Sequence, residues 1–131
     1  MTNFVIDASA WVEYLRGTSV GEKVKRVMEN GKNQVFTSSV TVAEVISVVK
    51  RKSEAVDRVR DVLRSWATII AADANIAQDA GELHAEMRKK IKDFGLADAF
   101  VAVLAQETQS KILTTDSHFK GFKGAILLDH L

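Results

Sequence analysis

Asn3–Ser9 reads N-F-V-I-D-A-S, and the reading of this stretch decides the fold. Phe4, Val5 and Ile6 form a short apolar run suited to a strand covered on both faces. The run stops on a carboxylate, Asp7. Small residues come next, and Ser9 can cap a helix that begins near Trp11. A covered strand ending on an acid just before a helix is a site-building arrangement. Open α/β sheets collect ligands where the C-terminal ends of strands meet the N-termini of helices. The rest of the chain is expected to bring further acids to Asp7.

Outward from this stretch, apolar periodicity and caps divide the chain into alternating elements. A short helix is expected over Ala10–Leu15, with Val12 and Leu15 facing inward and Gly17 ending it. Ser19-Val20-Gly21-Glu22 is a capping-box pattern that starts a second helix, closed by Asn30-Gly31. Gln34–Thr37 reads as a strand, and Val40–Lys50 as an apolar helix carrying one acid, Glu44. Ser53 can cap the next helix, with Val56, Val59, Leu63 and Trp66 as its inner stripe. Its pairing with the helix before it could form a protruding arm. Thr68–Ala71 is a third strand.

Asp73 caps a long helix running to about Lys92, with the stripe Ile76, Ala80, Leu83, Met87 and Ile91, and Phe94-Gly95 breaks it. Asp98 opens a helix over Ala99–Gln106 made almost wholly of Ala, Val, Leu and Phe, which must be buried. Lys111–Thr115 is a fourth strand ending at Asp116, and Ala125–Leu128 a fifth. Strands that alternate with helices predict an α/β fold, a mostly parallel sheet of about five strands with helices on both faces.

The 131 residues suit a single domain over 1–131, and 47% hydrophobic content supports a sizeable core. Eighteen basic residues against 17 acidic give a net charge of +1, so bulk charge neither demands nor excludes nucleic acid. Cysteine is absent, which excludes disulfides and thiolate metal sites. No apolar run approaches the length of a membrane span, and the N-terminus lacks the pattern of a signal peptide, so a cytoplasmic location is expected.

Asp7, Glu44, Asp98 and Asp116 stand in unusual places. Asp7 and Asp116 each come directly after a short apolar strand, and in a parallel sheet both reach its C-terminal edge. Glu44 and Asp98 lie near the starts of apolar helices. Grouped carboxylates repel one another, so such a site binds protons or cations. Hard oxygen donors without Cys select Mg²⁺ or Mn²⁺ over zinc and suit phosphoryl chemistry, in which the ion activates a water. Each acid also has a structural role open to it. Asp98 can cap its helix, Glu44 can complete a capping box with Thr41, Asp116 can make a turn, and Asp7 can cap the next helix. Their joint placement favours chemistry. Glu54, Asp57 and Asp61 read as solvated helix faces.

The order strand-Asp7-Ala8-Ser9, Glu44 in an apolar helix, Leu96-Ala97-Asp98-Ala99 and Leu113-Thr114-Thr115-Asp116-Ser117-His118-Phe119 resembles PIN-domain ribonucleases, and within them the small VapC-type toxins of toxin–antitoxin pairs. The likeness covers essentially the whole chain. It implies a three-layer sandwich with the first strand at the centre of the sheet, and an Mg²⁺- or Mn²⁺-dependent endoribonuclease acting on single-stranded RNA. It also implies a homodimer and a cognate antitoxin whose C-terminal segment enters the acidic groove. Asp7, Glu44, Asp98 and Asp116 take the family's acidic metal-binding positions, with the ion chiefly between Asp7 and Asp98. Ser9 and Thr114 take its hydroxyl positions.

Basic residues should ring an acidic pocket that receives RNA. Arg16 and Lys120 are the preferred contacts, because they come just after acid-bearing segments. Lys50, Arg51, Lys52, Lys89, Lys90, Lys92 and Lys123 read mainly as solvated helix ends. His118 reads as a turn or cap residue, His84 and His130 as surface, and Trp11 as packing at a helix or dimer interface. The apolar helix around Val45, Ile46, Val48 and Val49 is expected to carry the dimer contact. Solitary RNA-processing PIN proteins share the same acids. A haloacid-dehalogenase-like phosphatase needs a second Asp where Ser9 stands. A phosphate-accepting receiver domain needs an acid pair beside Asp7, and a scaffold in which the acids are only caps would bind no Mn²⁺.

Overall fold

The computed structural model describes Met1–Leu128; His130, expected at the surface, lies outside the described residues. The elements in chain order are β1 (Thr2–Ile6), α1 (Ala8–Arg16), α2 (Ser19–Glu29), β2 (Asn33–Ser38), α3 (Ser39–Arg51), α4 (Val56–Trp66), β3 (Thr68–Ile70), α5 (Ala74–Arg88), α6 (Leu96–Thr108), β4 (Lys111–Thr114), a 3₁₀ turn at Ser117–Phe119 and β5 (Ala125–Leu127). The five strands form one sheet in the order β3-β2-β1-β4-β5, and every pairing is parallel. The opening run therefore lies at the centre, between β2 and β4, with Val5 opposite Phe36 and Ile112 and Ile6 opposite Leu113.

Strand alternation sorts the core into two layers. Phe4 and Ile6 of β1, Val35 of β2 and Leu113 of β4 pack with Trp11, Val24, Val45, Val59 and Leu63 of α1–α4. Val5 and Ile112, one residue along, face the other way onto Val101, Ala102, Leu104 and Ala105 of α6. The near-continuous apolar face of α6 is fully used, because α5 covers its far side through Ile76 and Ala80 against Ala99 and Val103. Trp11 is fully buried, and its Nε1–H donates to the Thr37 hydroxyl at 3.0 Å, so it is a core residue that neither stacks on a base nor meets a second copy.

Several local expectations change. α1 begins at Ala8 with Asp7 at the N-cap, so Ser9 lies inside the helix. Val12 lines a surface groove instead of facing inward, while Leu15 packs at the core edge. Thr18, not Ser19, caps α2 by accepting from the Gly21 N–H. Ser38 caps α3, so Glu44 completes no box with Thr41. Ala55 precedes α4, and Ser53 takes φ 57 in the connecting turn. Trp66 is exposed, whereas Val59 and Leu63 of its stripe are buried and Val56 packs against the core edge. Asp73 does cap α5, but the helix stops at Arg88 so that the chain can turn and drive Phe94 fully into the core. Gly95, not Asp98, is the N-cap of α6.

α3 and α4 form no protruding arm, since both lie on the sheet through Val45, Val49, Val59 and Leu63. The four residues expected to carry a dimer contact take different places on this helix. Val45 and Val49 belong to the core, Val48 lines the groove beside α1, and Ile46 is partly covered by its neighbours. Val42 and Ile46 of α3 line a surface cavity together with Val56 and Ile69.

α1 and α2 cross closely at Gly21. A Cβ there would collide with the backbone carbonyl of Glu13 and lie 2.9 Å from the Tyr14 Cα, both main-chain atoms that cannot swing aside. Gly21→Ala is therefore expected to destabilise the fold by about 1–3 kcal/mol through overpacking. Urea denaturation of parent and variant measures this, and an unchanged midpoint would contradict the close crossing.

Candidate active site

β1 delivers Asp7 to the C-terminal edge of the sheet, and its backbone N–H bonds to the Leu113 carbonyl of β4 at 3.0 Å. Asp7 sits at the N-cap of α1, yet its side chain makes no capping bond; its backbone carbonyl receives the N–H groups of Ala10 and Trp11 instead. The carboxylate is left for another task. It is only 4% exposed, and its Oδ2 accepts from the Ser9 hydroxyl at 2.9 Å and the Thr114 hydroxyl at 2.8 Å. Each hydroxyl in turn accepts from the next loop: Ser9 from the Thr115 N–H at 3.0 Å and Thr114 from the Asp116 N–H at 2.9 Å. One hydrogen-bonded lattice thus joins the end of β1 to the end of β4.

Asp116 comes directly after this lattice. It caps the 3₁₀ turn by accepting from the His118 N–H at 2.8 Å, so the turn role open to it and a place in the site coexist. Asp98 stands in the first turn of α6, where its Oδ2 accepts from the Gly95 N–H at 2.8 Å. The 3₁₀ turn swings the His118 ring over both acids. Its Nδ1 lies 3.1 Å from Asp98 Oδ2 and 3.3 Å from Asp116 Oδ1. Phe94 lies against that ring, with centroids 6.5 Å apart, and Phe94 stacks on Phe122 at 5.7 Å. His84 also turns inward, its Nε2 at 3.0 Å from the Phe94 carbonyl, so it is half-buried and not a surface residue.

Electrostatics show that the four acids share one environment. Burial raises the Asp7 carboxyl above its ordinary pKa, against the hydroxyls of Thr114 and Ser9 that lower it, and the charge of Asp98 adds to the rise. Glu44, half-buried on α3, is pushed up to about 7, first by burial and then by Asp7, Asp98 and Asp116. Burial pulls His118 down, but its hydrogen bond to Asp98 and the charges of Asp116, Asp98 and Asp93 outweigh that and raise it. Among the described residues no Lys or Arg forms an ion pair with any of the four acids.

This donor set fits a hard divalent cation. Ligand atoms of Asp98, Asp116 and His118 all lie within 4.8 Å of one another. Asp7 and Glu44 stand outside that tight trio, and both hydroxyl bonds of Asp7 fall on one of its oxygens, Oδ2. Of the Asp7–Asp98 pair expected from the sequence to hold the ion, the trio contains Asp98. It includes His118, which reads from the sequence as no more than a turn residue. The signal is present nonetheless, since a His two residues beyond a strand-ending Asp shares that residue's turn. Of the two basic contacts expected, Arg16 borders a groove that opens beside Glu44, whereas Lys120 is exposed just after the 3₁₀ turn. Glu54, Asp57 and Asp61 are exposed, with Arg60 pairing to the last two.

The Glu44 shift has a sign that can be checked. A carboxyl whose folded pKa is raised binds more protons folded than unfolded between its ordinary 4.5 and about 7, so stability is lost as pH rises through that window. His118, raised as well, also loses its contribution as pH rises. Glu44→Gln without divalent metal is expected to match the parent near pH 4.5 and to exceed it above pH 7 by roughly 1–2 kcal/mol, discounted for partial exposure. Urea denaturation across pH tests this; a constant difference would contradict the shared charge.

The PIN domain family profile matches residues 4–124. No curated protein matches the chain. Among solved structures, the chain resembles VapBC2 from Rickettsia felis bound to a DNA fragment from its promoter, at TM-score 0.72 and 22% identity over 95% of this chain and 96% of that one. It also resembles VapC20 of Mycobacterium tuberculosis, described as a sarcin–ricin loop cleaving toxin, at TM-score 0.74 and 15% identity over 95% and 97%. FitAcB from Neisseria gonorrhoeae matches at TM-score 0.66 and 19% identity over 98% and 99%. Taken with the all-parallel sheet centred on β1 and the acids gathered at its C-terminal edge, these matches mean that the chain belongs to the PIN domain family.

Proposed function

We propose that the chain is an Mg²⁺- or Mn²⁺-dependent endoribonuclease that hydrolyses single-stranded RNA, working as one nuclease domain over residues 1–131. The observation that carries this reading is the convergence of Asp7, Glu44, Asp98 and Asp116, from four separate segments, into one mutually repelling cluster that no Lys or Arg pairs with among the described residues and that only the His118 ring offsets. Such a cluster is costly to assemble and is relieved by a divalent cation.

In this reading Asp98, Asp116 and Asp7 would hold the ion, with Glu44 reaching it directly or through water, and it would supply an activated water and neutralise phosphate charge. The chain's own groups do the rest. Ser9 and Thr114 fix the Asp7 carboxylate in one rotamer. The Gly95 N–H does the same for Asp98, as does the His118 N–H for Asp116. Without the ion, burial and the three neighbouring acids push the Glu44 carboxyl up to about 7, a repulsion that a bound cation would relieve. The His118 imidazole, a partner to both Asp98 and Asp116, serves as a local counter-charge and can turn toward a phosphate oxygen.

The reading extends to biology. Several similar structures are toxin–antitoxin complexes, including one from Klebsiella pneumoniae and a DNA-bound VapBC from Salmonella typhimurium. This supports a role as the toxin of such a pair, with a cognate antitoxin as partner. A homodimer belongs to the same reading, on the family resemblance, with the apolar residues of α3 as the expected contact. Among the described residues no helix is long and apolar enough to cross a membrane, which is compatible with action in the cytoplasm.

Purified protein is expected to cut single-stranded RNA with Mn²⁺ or Mg²⁺ and to stop in EDTA. Asp98→Asn should lower kcat by at least about a hundredfold with an unchanged circular dichroism spectrum. Thr114→Val, which removes a support of Asp7 but no acid, should cost about 10–100-fold. Metal-independent cleavage, or full activity in Asp98→Asn, would end the proposal.

A further inference from the structure

α1 and α3 leave the C-terminal edge of the sheet side by side, and a groove of about 700 Å³ runs between them. At its upper end Glu44 and Thr115 line it, so it opens directly onto the acid cluster. Its middle is apolar, with Val12 from α1 and Val48 from α3. Arg16 and Arg51, the last residues of the two helices, line it as well. Arg51 stands seven residues beyond Glu44, about 10 Å along the α3 axis at 1.5 Å per residue. Its Nε donates to the Ser47 carbonyl at 3.3 Å, which lays the guanidinium along the groove wall. Among the described residues neither arginine pairs with a carboxylate.

We propose that this groove is the subsite for the nucleotides next to the scissile phosphate, with Arg16 and Arg51 binding the backbone phosphate beyond them. The inference rests on the endoribonuclease reading and adds the path of the strand. Three features argue for RNA as the occupant. The groove is continuous with the acids where the bond is cut. Its valine-lined middle offers apolar contact to the face of an unpaired base without regard to sequence. Its far end presents planar guanidinium groups suited to phosphate oxygens, at a distance from the acids that neighbouring phosphates of one strand can bridge. Of the other charged residues lining it, Glu44 belongs to the acid cluster and Glu13 opposes the arginines, so the charge balance can be shifted in either direction by substitution.

Arg51→Ala and Arg16→Ala should each raise KM for a short single-stranded RNA by about tenfold while kcat stays within twofold, since they touch neither the acids nor their hydroxyl supports. Each should also reduce the slope of log affinity against log salt by about 0.7, the contribution of one phosphate contact on a single strand. That readout would not move if the arginines were merely structural. Affinity is measured by fluorescence anisotropy of a fluorescein-labelled single-stranded RNA on an Asp7→Asn background, which is expected to bind without cutting. Glu13→Gln should tighten binding. Arg64→Ala, on α4 just before β3 and so at the opposite edge of the sheet, is the control and should change nothing.

If the parent cuts RNA but the arginine variants keep its KM and salt slope, the groove proposal is overturned while the endoribonuclease reading stands, and the groove belongs to another occupant such as an acidic segment of a partner protein. If the parent cuts no RNA, that reading falls, and the anisotropy titration judges the groove alone. Weaker binding in both arginine variants keeps it as an RNA subsite; equal binding removes it.

Discussion

The buried carboxylate of Asp7, gripped between the hydroxyls of Ser9 and Thr114, is the constraint around which the molecule is arranged. A carboxylate that is 4% exposed would be strongly unfavourable without partners. Both hydroxyls donate to it, and both pass their acceptor lone pairs to backbone N–H groups of the β4 exit loop. The cost of burying one charge is thereby converted into rigidity for the two segments that carry Asp7 and Asp116. Parallel pairing of β1 with β4 is what brings these partners within reach.

The same arrangement sets stability against use. Asp7 and Glu44 both sit above their ordinary pKa, and for each the neighbouring acids add to what burial begins. A fold selected only for stability would replace one of these acids with an amide or an apolar group. Retaining all of them makes sense where a cation or phosphate chemistry supplies the missing charge. His118 is a partial answer within the chain, since its ring contacts two of the acids at once. Its position depends on the aromatic bed of Phe94, Phe119 and Phe122, a small satellite core beneath the site.

Much of this is legible from residues alone. The element order and the parallel sheet come from apolar runs and their punctuation, and the central place of the Asn3–Ser9 stretch comes from family resemblance. The features that the sequence hides are decided by tertiary contact. Ser9 looks like a helix cap because caps are read locally, but its hydroxyl is recruited by residues more than a hundred positions away. Trp66 completes a helical stripe on paper yet lies at the last turn of α4, beyond the reach of the core. Val45, Ile46, Val48 and Val49 look like an unpartnered apolar face, but the helix divides them between core, groove and neighbour. His118 has no sequence periodicity to announce it; only the tightness of the 3₁₀ turn brings its ring back over Asp98. Asp98, twenty positions earlier, meets it only because α6 and β4 are adjacent in the sheet layering.

The span between Asp7 and Thr114, 107 positions, has a kinetic consequence. β1 precedes its second neighbour, β4, by more than a hundred residues. At roughly 5–20 residues per second, a ribosome holds the chain for several seconds in which β1 can pair only with β2 and its acid has no hydroxyl from Thr114. Non-local parallel pairing is also among the slower steps of folding, because the loop must close before the contact is formed. A chain that stops short of β4 therefore carries Asp7, Glu44 and Asp98 without the hydroxyl and backbone groups that fix the rim, which is completed only when β4 joins the sheet.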